Sequence, residues 1–310
     1  MTAFVLKIIA SICMLIDHTG AIFPTPEIFR LIGRIVFPIY AYMIAQGCKH
    51  TKNINKYLFR LGVFAIISEI PFDLAFYRYF GNPFGVNYFS ETNVFYTLFL
   101  GAACIAVYER LKTKQRPWLV LVFLLIIPVS VSIIFIFPNT RWQTPLSIGF
   151  AAYTAAALWL SQSLPEADVN TKTMLPRKSL ALITTVPVFM LGSILSTDYG
   201  MYGIIYILIF FLAKPDNRIT RTIAMTSVVF LEYAYPYIFG LCYNRGIRLF
   251  SLPGKMMMFQ QNLNEFWFAL IAVILVFLYN GKQGPKVKWP FYVFYPVHIA
   301  VLAAISINFA

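Results

Sequence analysis

Charge is scarce in this chain. Asp, Glu, Lys and Arg together supply only 12% of its 310 residues, against about a quarter in a soluble domain. Too little polar surface remains to face water, which excludes a soluble globular fold. Four cysteines are present, Cys13, Cys48, Cys104 and Cys242. None forms a CxxC pair, so neither a zinc site nor a disulfide framework is indicated, and no other set of His, Cys and carboxylates has metal-ligand spacing. Packing is their expected role. No small-residue cleavage site closes the first apolar run, so no cleavable signal peptide is expected. Neither GxxxxGK[ST] nor GxGxxG occurs, which removes any positive signal for ATP-driven transport or dinucleotide chemistry. There is no internal repeat and no low-complexity tract. Apolar runs such as Trp118 to Phe137 do not alternate at period two, which excludes barrel strands.

What the chain has is apolar length. Hydrophobic residues make up 59% and aromatics 17%, and mean hydropathy is +0.71. Runs of about 18 or more apolar residues read as membrane-spanning helices, whose backbone groups must bond internally. Eleven such segments are expected: Ala3–Phe23, Ile28–Cys48, Tyr57–Tyr77, Val94–Tyr108, Trp118–Phe137, Pro145–Leu164, Ser179–Ser196, Tyr199–Ala213, Ile219–Leu241, Glu265–Asn280 and Pro290–Asn308. The expected fold is all-α, a polytopic integral membrane bundle of about 10–11 helices. Tyr199–Ala213 is short for a span, and reads as tilted or broken.

The charge excess, +13, follows topology. KHTKNINK (49–56), ERLKTKQR (109–116), TKTMLPRK (171–178), KPDNRITR (214–221) and GKQGPKVK (281–288) are basic, and they occupy every second loop. About eighteen of the 25 lysines and arginines fall on that side, which makes it cytoplasmic. The expectation is a multi-pass protein of the cell membrane with a cytoplasmic N-terminus. The lipid bilayer is its partner, and nucleic acid is not. Of the outer loops, Tyr243–Asn264 contains MMMF (256–259) and could lie on the membrane surface.

Ionisable groups inside such spans cost about 2.5–3.5 kcal/mol each on insertion scales, and they usually face a cavity or a partner. Asp17 and His18 lie late in the first span and Arg34 early in the second. Glu69 and Asp73 lie late in the third, spaced i, i+4 with Pro71 between them; Asn93 opens the fourth, and Asp198 and Tyr199 sit between the seventh and eighth. With the orientation above, all fall in the outer half of the membrane. His18 can take and return a proton near neutral pH. Asp17 is about 100° away on the helix, so a carboxylate from another span, Glu69 or Asp73, is the alternative partner. Arg34 either meets an anionic group or balances Asp17 or Asp73. His298 lies mid-span in FYPVHIAVL, where it either lines a path to this layer or hydrogen-bonds a carbonyl. Tyr292 and Tyr295 read as packing aromatics, and His50 as a solvated loop residue. On the cytoplasmic side, Lys49, Lys52, Lys56 and Arg60 suit either a nucleotide phosphate or anionic lipid.

The run LKIIASICMLIDHTGAIF (6–23) resembles the opening signature of the TraX family. The similarity continues through residues 30–76 and returns in NVFYTLFLG (93–101), TDYGMYGIIYI (197–207), LYNGKQG (278–284) and FYVFYPVHIAVL (291–302), in family order. Residues 245–261 look like a variable insertion. The family is named for a protein that N-acetylates F pilin, so the resemblance implies a membrane acetyltransferase in one transmembrane domain over residues 1–310. More distantly, the Asp-His pair is similar to that of the heparan-glucosaminide acetyltransferase type. The implied donor is cytoplasmic acetyl-CoA. The implied acceptor is an amine or hydroxyl of a peptide, glycan or lipid at the outer face. His18 would be base or acetyl carrier with Asp17 tuning it, and Glu69 and Asp73 complete the catalytic candidates. Arg34, Asn93, Asp198, Tyr199 and His298 are candidates for substrate binding, and Lys49, Lys52, Lys56 and Arg60 for donor binding; no metal is expected. The competing function is proton-coupled secondary transport through the same buried charges, against which the missing repeat counts. A noncatalytic assembly protein would not need the buried layer.

Overall fold

The computed structural model describes residues 1–76, 92–112, 114, 178–213, 217–234 and 253–308. Among them the regular structure is helical: α1 (Ala3–Ile22), α2 (Ile28–Gly33), α3 (Val36–His50), α4 (Ile54–Phe76), α5 (Val94–Leu111), α6 (Val186–Ile194), α7 (Gly200–Leu212), α8 (Arg218–Val229), α9 (Pro253–Phe277) and α10 (Trp289–Asn308). Stretches Ala3–Ile22, Ile28–His50, Val94–Leu111 and Trp289–Asn308 are long and apolar enough to cross a membrane. At about 1.5 Å per residue, the 20 residues of α1 span roughly the 30 Å of a hydrocarbon core.

Helix α1 shows why the environment is lipid. Thr2 caps it, its hydroxyl accepting from the Val5 amide at 3.4 Å. Ala3, Leu6, Ala10 and Met14 are buried on one face. The opposite face is also apolar, with Val5 40%, Ile8 38%, Ile12 55% and Leu15 38% exposed. A helix in water would carry charge there.

Several expected spans are broken or displaced, for local reasons. The second is interrupted at Arg34–Ile35, between α2 and α3. Pro38 explains the position: it has no amide hydrogen, and its ring collides with the carbonyl four residues back, that of Arg34. The seventh is interrupted at Thr184–Thr185, one residue before α6 and two before Pro187. There the hydroxyls turn back to the carbonyls of Leu180 and Leu182, each at 2.6 Å. Helix α7 has 13 residues, about 20 Å, which is short for a crossing. Helix α8 continues as a π-helical turn, Phe230–Ala234. Helix α9 starts at Pro253 rather than Glu265, so MMMF (256–259) belongs to a 25-residue helix instead of a surface loop. The segments expected at Trp118–Phe137 and Pro145–Leu164 lie outside the described residues, as does Cys242. The described cysteines, Cys13, Cys48 and Cys104, are free thiols.

The chain divides into two compact units. The first comprises Met1–Gln46, Ile70–Gly81 and Ile209–Ala310, the second Gly47–Glu69 and Asn82–Leu208. In the first, α1 packs on α2 and α10, and α9 packs on α8 and α2. The amides of Ala3 and Phe4 donate to the carbonyls of Lys282 and Gln283 at 3.0 and 3.1 Å, and that of Asn280 to Met1 at 2.9 Å. The start of α1 and the connection 278–284 therefore share one end of this unit, as their assignment to one membrane face requires. In the second unit, α5 packs on α6. The connections before α5 and α7 pair as extended backbone, Thr92 N donating to Ser196 O and Asp198 N to Thr92 O, each at 3.1 Å.

Candidate functional site

The first unit brings two histidines together from opposite ends of the chain. His18 Nδ1 lies 2.7 Å from His298 Nε2. The ring planes differ by 8° and the centroids are 5.0 Å apart. That separation is as large as one N–N contact and two ring radii allow, so the rings lie side by side in nearly one plane, with the shared hydrogen in line.

The protons on this pair can be deduced. His298 Nδ1 lies 2.7 Å from the carbonyl oxygen of Phe294. A carbonyl only accepts, so Nδ1 of His298 carries the hydrogen. A neutral His298 then has a lone pair on Nε2 and accepts from His18 Nδ1–H. The remaining nitrogen of His18, Nε2, keeps its own lone pair. One ring nitrogen's tautomer is thus fixed by the hydrogen bond at the other, twice in succession.

The surroundings are aromatic. Phe294 stacks on His298 at 4.5 Å, and Phe76 and Tyr295 set their rings edge-on to His18 at 5.7 and 5.8 Å. His298 is buried, whereas His18 is only partly so. His18 is the member that can meet a substrate. Asp73 lies one turn before Phe76 on α4 and makes no hydrogen bond or ion pair among the described residues. The spacing puts Asp73 on the helix face that Phe76 turns toward His18.

Beside the histidines stands a set of ion pairs. Arg30 Nη1 donates to Asp17 Oδ1 at 2.6 Å and to the Asp17 carbonyl at 3.3 Å. Arg34 Nη2 lies 3.5 Å from Glu265 Oε1 on α9. Gly33 makes the first pair possible, because a Cβ there would overlap the Asp17 carboxyl group. The Asp17 carboxylate therefore faces α2, and the ring partner of His18 is a histidine rather than Asp17 or another carboxylate. Of the two alternatives raised for His298, the structure has the bond to a carbonyl, that of Phe294, and the other ring nitrogen meets His18.

Glu69 and Asn93 belong to the second unit, where they bond each other. Asn93 donates from its amide and from Nδ2 to Glu69 Oε2, at 3.1 and 2.5 Å. Its other Nδ2 hydrogen goes to the Ala65 carbonyl at 2.8 Å, and Oδ1 caps α5 by accepting from Phe95 N at 3.0 Å. Both residues are buried. Asp198 meets Thr92 through its backbone and has an exposed side chain, and Tyr199 N donates to Thr97 Oγ1 at 3.5 Å. Lys52 and Lys56 are exposed, Lys49 is half-buried, and Arg60 lies over the Tyr57 ring at 5.7 Å.

Arg30, Gly33 and Glu265 are the site residues that sequence reasoning missed. Arg30 and Glu265 sit at the ends of apolar runs, where charge is ordinary. One signal was present: Arg30 stands four residues before Arg34, on the same helical face.

Apolar helices with polar groups turned inward define a helical membrane protein. The model of the family described as TraX protein matches residues 3–139 and 150–306, and the chain belongs to that family. The chain is similar to a protein of Dichelobacter nodosus described as "Probable fimbrial assembly protein FimC, serogroup H1", with 24% identity across 98% of this chain and 95% of the relative. No solved structure matches.

Proposed function

We propose that the protein is a membrane acetyltransferase that moves an acetyl group from cytoplasmic acetyl-CoA to an amine or hydroxyl at the outer face. The observation that carries this reading is the hydrogen-bonded sequence from the Phe294 carbonyl through His298 to His18, which leaves His18 Nε2 as a base. A base held by a second group is the arrangement that activates a nucleophile.

The step balances as follows. His18 Nε2 takes the proton of the acceptor N–H or O–H as that atom attacks the thioester carbonyl carbon. The new N–C or O–C bond forms and the C–S bond breaks. The CoA thiolate leaves with the proton carried by His18. While His18 is charged, its Nδ1–H bond to His298 becomes charge-assisted and stronger. Asp73 can meet an incoming ammonium group. Arg30 and Asp17 lock α2 against α1, so Asp17 acts on the position of His18 rather than on its proton. Arg34, in the same unit as the histidines, belongs to substrate positioning. Lys49, Lys52, Lys56 and Arg60 attract the anionic donor to the inner surface. The setting is the cell membrane, crossed several times, with the N-terminus inside. The relative's description makes an amine of a fimbrial subunit the first acceptor to try.

The test is acetyl-CoA binding and turnover by purified protein beside His18→Ala. Binding with turnover that depends on His18 supports the reading. Folded protein that ignores millimolar acetyl-CoA, or a fully active His18→Ala protein, would end it.

A further inference from the structure

Arg221, in the first turn of α8, is only 6% exposed. Its guanidinium lies 5.0 Å over the Tyr279 ring and close enough to Tyr42 to act on its hydroxyl, and both tyrosines are buried. Neither supplies a full negative charge. Among the described residues no carboxylate lies within ion-pair distance of Arg221, and its Nε has no hydrogen-bond partner. A guanidinium cannot shed its proton to ease burial, and a buried charge is costly unless paired. The same unit gives Arg30 and Arg34 each a carboxylate. Arg221 departs from that rule.

The surroundings add to the positive charge. Lys282 is pinned by its carbonyl to the Ala3 amide. Lys288 is close enough to repel Lys7, which lies 5.5 Å over the Phe291 ring. Segments 1–16, 217–231 and 278–308 contain no acidic residue. Among the described residues the nearest acid in sequence along α8 and its π-helical turn is Glu232, about three turns further along, so none of these segments supplies a negative charge at this end, and a bound anion would.

We propose that Arg221, with Tyr42, Tyr279, Lys282 and Lys288, forms a phosphate site that holds the diphosphate and 3′-phosphate of CoA. The proposal rests on the acetyltransferase reading and deepens it by naming where the donor is held. An arginine fork fits phosphate oxygens two at a time, and lysines add charge without geometry. The site and the His18–His298 pair lie in one unit. Helix α10 links them, with Phe291 beneath Lys7 and His298 two turns further on, about 10 Å along the axis. A pantetheine arm can follow that path. The exposed Lys52 and Lys56 are solvated and need no such counter-charge.

The experiment measures radiolabelled CoA binding to the full chain in phosphatidylcholine nanodiscs, with and without phosphatidylglycerol. Wild type should bind CoA in both, and adenosine 3′,5′-bisphosphate should compete. Arg221→Gln should raise Kd at least tenfold. The exposed pair Lys282→Gln/Lys288→Gln should raise it severalfold and flatten its salt dependence; it decides the matter if Arg221→Gln does not fold. Wild type that binds no CoA overturns the acetyltransferase reading and this site with it. CoA binding unchanged in the folded variants overturns the site alone. Loss of a phosphatidylglycerol requirement in Arg221→Gln, with CoA binding intact, makes the anion a lipid headgroup and also overturns the donor assignment.

Discussion

His298 can accept from His18 only while its own Nδ1 hydrogen is engaged by the Phe294 carbonyl. His298→Ala removes the acceptor, lets the His18 ring rotate, and leaves CoA binding alone. The expected result is a fall in kcat of about a hundredfold or more with little change in KM, measured by acetyl transfer from saturating donor. His298→Gln, which keeps an acceptor oxygen, should recover part of the loss. Gly33→Ala tests the neighbouring pair. Its Cβ would occupy the space of the Asp17 carboxyl group, so thermal stability in detergent should drop, by about 1–3 kcal/mol. His18, Asp17 and Arg34 were legible in the sequence because an ionisable group in an apolar run is expensive. Their partners were not. Arg30 and Glu265 look ordinary where they stand, and no local pattern joins His18 to a residue 280 positions away.

Helix breaks were less legible than helices. Proline reports its own position but not how the chain will respond. Pro38 coincides with the break at Arg34, whereas Pro71 and Pro296 lie inside continuous helices. The start of α5 offers a test at this scale. Asn93 is at once its cap and the donor to buried Glu69. Asn93→Ala should lose about 1–3 kcal/mol, because the buried Glu69 carboxyl and the Ala65 carbonyl lose the Nδ2 donor. Asn93→Asp keeps a cap but sets a second carboxylate against Glu69, and should unfold at lower temperature still in a detergent melt. Glu69→Gln should leave folding nearly intact. If it also leaves acetyl transfer intact, Glu69 belongs to the architecture of α5 and not to the chemistry.

At the scale of the molecule, the basic loops set the orientation. Lys52→Cys and Lys282→Cys are both expected to resist an impermeant maleimide in intact cells and to react after permeabilisation; labelling of either from outside would invert the proposed topology. Composition made the membrane legible at once, because exposed apolar faces such as that of α1 leave nothing for water to solvate. The division into two units was not, since sequence hydropathy does not record which helices touch. One contact has a consequence for biogenesis. The bonds from Ala3 and Phe4 to the connection at Lys282 and Gln283, and from His18 to His298, join the first helix to the last. At about 5–20 residues per second, α1 waits on the order of 15–60 seconds after insertion before α10 emerges from the ribosome. Throughout that interval an aspartate and a histidine stand in the bilayer without their final helix. The nascent chain therefore depends on the Arg30 pair, close in sequence, or on a chaperone of the insertion machinery, to remain in place. A chain stopped before α10 is the form that membrane quality control should destroy first.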